Sequence, residues 1–172
     1  MINIFKCRFV KGVVTRPAHA FASQEFESLG VELKAVILKR FGRSLSIREL
    51  DSGSCGACES EIISATNPIY DIQRFGINFV ASPRHADALL VTGPVSNNMA
   101  EALRKTYDAM PEPKFVVALG ECALDGGVFK GSYYTKDGVR NILHVDLHIP
   151  GCPPSPTDII KSLLSFLKSG II

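Results

Sequence analysis

The chain has 172 residues, 46% of them hydrophobic and 21% charged, with a formal net charge of +2 at neutral pH. That is the balance of a globular domain. It excludes a protein that grips nucleic acid through net charge, and no apolar run reaches the roughly 18 residues that span a bilayer.

The first 24 residues show no secretory pattern, because no compact apolar stretch follows a charged start. They carry Lys6, Arg8, Lys11 and Arg16 with no acid before Glu25, interleaved with Phe5, Phe9, Val10, Val13 and Val14. A basic, apolar arm of this kind suits an anionic membrane surface or a partner's groove; the plain alternative is a loose terminus. Residues 25–41 then place Phe26, Leu29, Leu33, Val36, Ile37 and Phe41 near helical spacing, with Gly42 as the stop. A strand is expected over 45–50, the loop Asp51-Ser52-Gly53-Ser54 after it, and a helix from Cys58 to Ala65. The apolar runs 77–81, 88–92 and 115–119 read as buried strands, with a helix over 99–109 between the last two. A further strand is expected over 142–149. Thr157–Leu167 closes the chain as an amphipathic helix.

Strands and helices in alternation predict an α/β fold, an open and mostly parallel sheet flanked by helices. The expected division is an amino-terminal extension over 1–44, made of the basic arm plus a helix, and one domain over 45–172. Ligands of such sheets sit beyond the carboxyl ends of the strands.

Five cysteines are the oddity in the composition. A chain of this size needs no disulfide staples, and an odd number cannot all pair internally. Cys55 and Cys58 form C-x-x-C after the first predicted strand, Cys122 follows the strand 115–119, and Cys152 follows 142–149. A parallel sheet gathers these four at one edge, whereas Cys7 stands apart in the basic arm. Three chemistries compete. A redox dithiol uses only Cys55 and Cys58. Structural zinc takes four sulfurs, usually from two paired knuckles. Iron–sulfur clusters accept dispersed ligands, and Cys152-Pro153 matches the C-P ending of bacterial cluster motifs. The spacing favours iron–sulfur and leaves the other two open. No G-x-G-x-x-G or G-x-x-x-x-G-K-[ST] occurs to support nucleotide binding.

Five strings carry a family resemblance. They are Gly53-Ser54-Cys55-Gly56-Ala57-Cys58-Glu59-Ser60-Glu61-Ile62, Ser82-Pro83-Arg84-His85-Ala86-Asp87, Val91-Thr92-Gly93-Pro94-Val95, Gly120-Glu121-Cys122-Ala123-Leu124-Asp125-Gly126-Gly127 and Ile149-Pro150-Gly151-Cys152-Pro153-Pro154-Ser155-Pro156. In this order they resemble the small subunit of membrane-bound, energy-converting [NiFe] hydrogenases (group 4), which is homologous to the cluster-N2 subunit of respiratory complex I. The resemblance covers about residues 45–165.

It implies a flavodoxin-like sheet and one [4Fe–4S] cluster held by Cys55, Cys58, Cys122 and Cys152, with no catalytic residue in this chain. It also implies three kinds of partner: a [NiFe]-hydrogenase-type large subunit, a ferredoxin-like iron–sulfur subunit, and membrane subunits. The complex is expected on the cytoplasmic side of the cell membrane, with this chain peripheral and no nucleic acid involved. The chain's role would be electron transfer between the iron–sulfur partner and the catalytic large subunit. The alternative is an N2-type subunit in a complex I-like quinone- or sulfur-reducing, ion-pumping oxidoreductase. Cys55-Gly56-Ala57-Cys58 departs from the family's common C-N-G-C. Its C-x-x-C spacing leans toward the hydrogenase side, since complex I has adjacent cysteines.

Four further residues draw attention. Glu59 and Glu61, just after the C-x-x-C, complement a helix start or act as a proton relay. His85 and Arg84 lie in a loop that the resemblance puts beside the cluster, where His85 would be a redox-linked proton site and Arg84 would offset cluster charge or pair with Asp87. Asp125, before Gly126-Gly127, reads as a turn former. His19, His144 and His148 show no companion pattern.

Overall fold

A computed structural model describes residues 24–170. The basic arm, Cys7, His19 and the terminal Ile171-Ile172 lie outside the described residues. Helix α1 spans Gln24–Phe41 and buries Phe26, Gly30, Leu33 and Ile37 along one stripe; Glu25 and Glu27 at its start and Lys39 and Arg40 at its end complement its dipole. There follow β1 (Leu45–Asp51), α2 (Ala57–Ala65), β2 (Ile77–Phe79), β3 (Ala88–Thr92), α3 (Met99–Asp108), β4 (Phe115–Leu119), α4 (Glu121–Asp125), β5 (Leu147–Ile149) and α5 (Pro156–Ser169).

The five strands form one sheet in the order β2-β1-β3-β4-β5, and every neighbouring pair is parallel. This is the flavodoxin-like winding, in which the chain changes direction across the sheet between β1 and β3. Residues of β3 and β4 are buried throughout, as parallel strands covered on both faces must be. On one face Ile47, Leu90, Val117 and Ile149 meet Leu33 and Ile37 of α1, Ile62 of α2 and Ile160, Leu163 and Leu167 of α5. On the other, Leu50, Leu89, Val91 and Val116 meet Leu103 of α3 and Val139. Helix α1 therefore shares the main core with the sheet. Ser155 caps α5 in a reciprocal box with Asp158, which satisfies two of the orphan N–H groups at that end.

The strand expected over 142–149 is shorter than predicted. Only Leu147–Ile149 pairs with β4. Val139–Asn141 is a 3-10 turn, and Ile142, Leu143 and Val145 pack against the second core from irregular backbone. Their apolar character serves burial, not a ladder.

Asp87, just before β3, accepts two hydrogen bonds from the Arg43 guanidinium (2.6 and 2.9 Å) and one from the Ser46 N–H (2.9 Å). The expected alternative pairing of Arg84 with Asp87 is therefore replaced by Arg43. The carboxylate is 9% exposed and joins the start of β1 to the start of β3. Asp87→Ala strands the Ser46 N–H and the guanidinium, and is expected to cost about 1–3 kcal/mol in urea unfolding of the full chain.

Candidate metal centre

The carboxyl ends of β1, β3, β4 and β5 lie along one edge of the parallel sheet, and the turns that leave them enclose a pocket. Ser54, Cys55, Ala57 and Cys58 line it after β1, Gly93 and Pro94 after β3, Glu121 and Cys122 after β4, and Gly151, Cys152 and Pro153 after β5. All four cysteines singled out by spacing meet there as free thiols, Cys55 and Cys152 exposed at the rim, Cys58 and Cys122 half-buried.

Each thiol is positioned by its backbone. The Asp51 carboxylate accepts hydrogen bonds from the Gly53 and Ser54 N–H groups (both 2.8 Å), turning the chain sharply out of β1. Below that turn, fully buried Ser52 donates to the Thr92 carbonyl (2.5 Å) and accepts from the Val95 N–H (3.2 Å), tying the β1 and β3 exits together. Helix α2 then starts at Ala57 and carries Cys58 in its first turn. Across the pocket, Gly120 N–H bonds to the Ile149 carbonyl (2.8 Å) and Glu121 N–H to that of Gly151 (3.2 Å), so the Cys122 and Cys152 turns are fastened as a pair. Asp125 accepts from the Gly127 N–H (3.2 Å), the turn-forming role expected of it. Asp51, Ser52, Glu121 and the pocket-lining Phe129 carry no metal-ligand pattern; for the first two, only the local turn chemistry of Asp and Ser gives them away.

Two glycines keep the inner thiols accessible. A Cβ at Gly120, whose φ is +86°, would lie 2.9 Å from the Cys58 sulfur, and one at Gly127 would lie 3.0 Å from that of Cys122. Burial pushes the Cys58 thiol up to about 12, and Glu59 and the other three cysteines push the same way. Cys122 is also raised, by burial first, with the Val128 N–H pulling back toward the thiolate. The helix start under Cys58 favours its thiolate, but burial and crowded negative charge outweigh it. Two half-buried thiols of the converging four resist ionisation, which calls for a positive charge beside them.

Among the described residues, no three His, Cys, Asp or Glu side chains gather tightly enough to hold a single metal ion. A single zinc needs all donors around one point. A polynuclear centre offers a separate metal atom to each sulfur, which suits thiols that ring a pocket from four turns.

The remaining expected residues fall differently. Glu59 points inward, both carboxylate oxygens sealed from solvent without a hydrogen-bond partner. Glu61 is half-buried on the same helix. Arg84 and His85 correct the expectation. They are exposed, on a 3-10 turn leading to the amino-terminal start of β3, and neither lines the cysteine pocket. The β2–β3 connection delivers them to the strand's beginning, whereas the cysteines follow strand ends.

Residues 55–166, which hold all four cysteines, match the model of the NADH ubiquinone oxidoreductase 20 kDa subunit family. The chain belongs to that family. It is 45% identical over 134 residues to the probable membrane-bound hydrogenase subunit mbhJ of Pyrococcus furiosus, covering 78% of this chain and 80% of that one. With formate hydrogenlyase subunit 7 of Escherichia coli it shares 42% over 124 residues, 72% of this chain and 49% of that one. Among solved structures, a chain of the membrane-bound sulfane sulfur reductase, an archaeal respiratory membrane complex, superposes with a TM-score of 0.64 at 32% identity, over 75% of this chain and 73% of that one. The flavodoxin-like sheet is thus the family's, and this 20 kDa-type chain is an oxidoreductase-family subunit. None of its described helices is long and apolar enough to cross a membrane.

Proposed function

We propose that this chain is the electron-transfer small subunit of a membrane-bound [NiFe]-hydrogenase-type complex, with one [4Fe–4S] cluster on Cys55, Cys58, Cys122 and Cys152. The observation that carries the reading is the meeting of four free thiols in one pocket at the carboxyl edge of this family's sheet. The clearances at Gly120 and Gly127 and the suppressed ionisation of Cys58 and Cys122 suit a bulky cationic group. When bound, such a cluster supplies a one-electron redox centre. The protein's own part is to hold it. The Asp51 and Ser52 turns fix the C-x-x-C, the Gly120–Ile149 and Glu121–Gly151 bonds fix the other two ligands, and Pro94 and Phe129 limit water. Hydrogen chemistry belongs to a large catalytic subunit covering this edge; a ferredoxin-like iron–sulfur subunit supplies or accepts electrons. The complex sits on the cytoplasmic side of the membrane through its membrane subunits, with this chain peripheral.

Anaerobic purification of the native complex tests this. About four irons per copy of this chain, a reducible EPR signal and a co-purified large subunit with two C-x-x-C motifs are expected. A metal-free or zinc-bound chain would sink the reading. The 32% identity to a chain of a sulfane sulfur reductase supports a second one, in which the same subunit serves a sulfur-reducing relative of complex I. Hydrogen-dependent against polysulfide-dependent turnover separates the two.

A further inference from the structure

Val128, Phe129, Tyr133 and Tyr134 stand out from the surface beside the cysteine pocket, Val128 at 84% and Tyr133 at 87% exposure. They are half of the large apolar side chains exposed among the described residues; the others, Val31 and Leu38 on α1 and Ile63 and Ile69 on and after α2, are spread apart. The Tyr133 and Tyr134 rings pack on each other, with centroids 4.7 Å apart, and on neither core. The loop that carries them is fastened nonetheless. The Asn97 side chain donates to the Tyr133 carbonyl (2.8 Å), the Asn97 N–H to that of Tyr134 (2.8 Å), and the Gly131 N–H to the Asp137 carboxylate (2.7 Å). Asp137 itself sits at φ +53°, a left-handed conformation that costs a residue other than glycine. Hydrogen bonds and strain thus hold four apolar side chains in water, where the hydrophobic effect disfavours them.

Given the [NiFe]-hydrogenase-type reading of the complex, on which this rests, we propose that residues 128–134 are the anchor by which the chain docks its large subunit. Continuity with the pocket decides the occupant. Phe129 lines the pocket, and the Val128 N–H serves the Cys122 sulfur. Cys55 and Cys152 are exposed at the same rim, so a partner that covers them meets this loop first. Permanent interfaces are apolar at their centre, and aromatic side chains held in place carry most of their binding energy. The loop offers that composition. Lys130 is its one charged residue and is already held by Asp125 (2.9 Å). An anionic membrane surface would instead call for a cluster of unpaired basic side chains around the aromatics.

Dilution of the purified native complex tests this, with Tyr133→Ala/Tyr134→Ala set against Val31→Ala/Leu38→Ala on α1. Mass photometry reads the concentration at which the large subunit separates. The tyrosine pair is expected to raise it at least about 30-fold, the effect of losing hot-spot contacts, and the α1 pair to leave it unchanged. Both tyrosines are exposed, so the melting temperature and iron content of the full chain are expected to stay at wild-type values, which separates docking from folding and from cluster binding. Val128→Ser is a second, milder probe of the same surface and is expected to weaken the complex in the same direction. Separation of the tyrosine variant at the wild-type concentration overturns the proposal, as does equal weakening by the α1 pair. Flotation of the wild-type full chain with phosphatidylcholine–phosphatidylglycerol vesicles, lost in the tyrosine variant, overturns it too and gives the patch to the membrane. A wild-type chain that purifies with no large subunit sinks the proposed function itself, and the occupant of this surface with it.

Discussion

Gly138→Ala is expected to lower the melting temperature of the full chain by about 10 °C, corresponding to about 3 kcal/mol for a domain of this size. Gly138 is buried, with φ 88° and ψ 174°, a region that side chains other than glycine's occupy only under strain of about 1–3 kcal/mol. Its N–H bonds to the Pro94 carbonyl (2.9 Å), which pins the 130–138 loop to the β3 exit. An added Cβ would overlap the Leu124 carbonyl and the Asp125 nitrogen, both backbone atoms of α4. No rotamer change relieves a backbone clash, so α4 must shift, and α4 carries Cys122. Gly131→Ala is the control. Its φ is +78° and nothing lies within 4 Å of its Cβ, so only the conformational cost remains, about 1 kcal/mol. Equal losses for the two variants in thermal unfolding would show that the Leu124 contact does not bear on stability.

The same neighbourhood shows what the chain makes legible and what it hides. The strands 88–92 and 115–119 are readable because burial on both faces demands uninterrupted apolar runs. Helix α1 is readable from its stripe of Phe26, Leu33 and Ile37. Helix α4 is not, since Glu121–Asp125 is too short to show a period. Ile142, Leu143 and Val145 mislead for a related reason: apolar residues beside a turn bury themselves equally well without a ladder. Convergence of Cys55, Cys58, Cys122 and Cys152 is legible because a parallel sheet places all strand exits on one edge. The Arg43–Asp87 pair is invisible in the chain because distant segments make it. Arg84 and His85 mislead because a loop between strands in sequence need not lie at the ligand-bearing edge.

Cys58 is where the proposed ligand set has its largest measurable consequence. Iron binds thiolate, so a thiol held at about 12 must release its proton when metal enters. Cys122, raised in the same direction, must do likewise. Raising the pH makes that release easier, and each proton displaced raises apparent affinity about tenfold per pH unit. Reconstitution of the full chain with iron and sulfide should therefore strengthen by at least about tenfold between pH 7 and pH 8. A flat profile would remove Cys58 and Cys122 from the ligand set. Cys58→Ala separates the ligand from the packing role. The side chain contacts the main core, so its truncation is expected to cost apo-protein stability only about 1 kcal/mol, while iron retention falls to background and the EPR signal disappears. Cys55→Ser, at an exposed rim position, should leave apo stability unchanged and still abolish the four-iron signal. Full iron occupancy in either variant would mean that the pocket gathers these thiols without using them, for the energetic case for Cys58 is that its buried sulfur gains its counter-charge only when metal occupies the pocket.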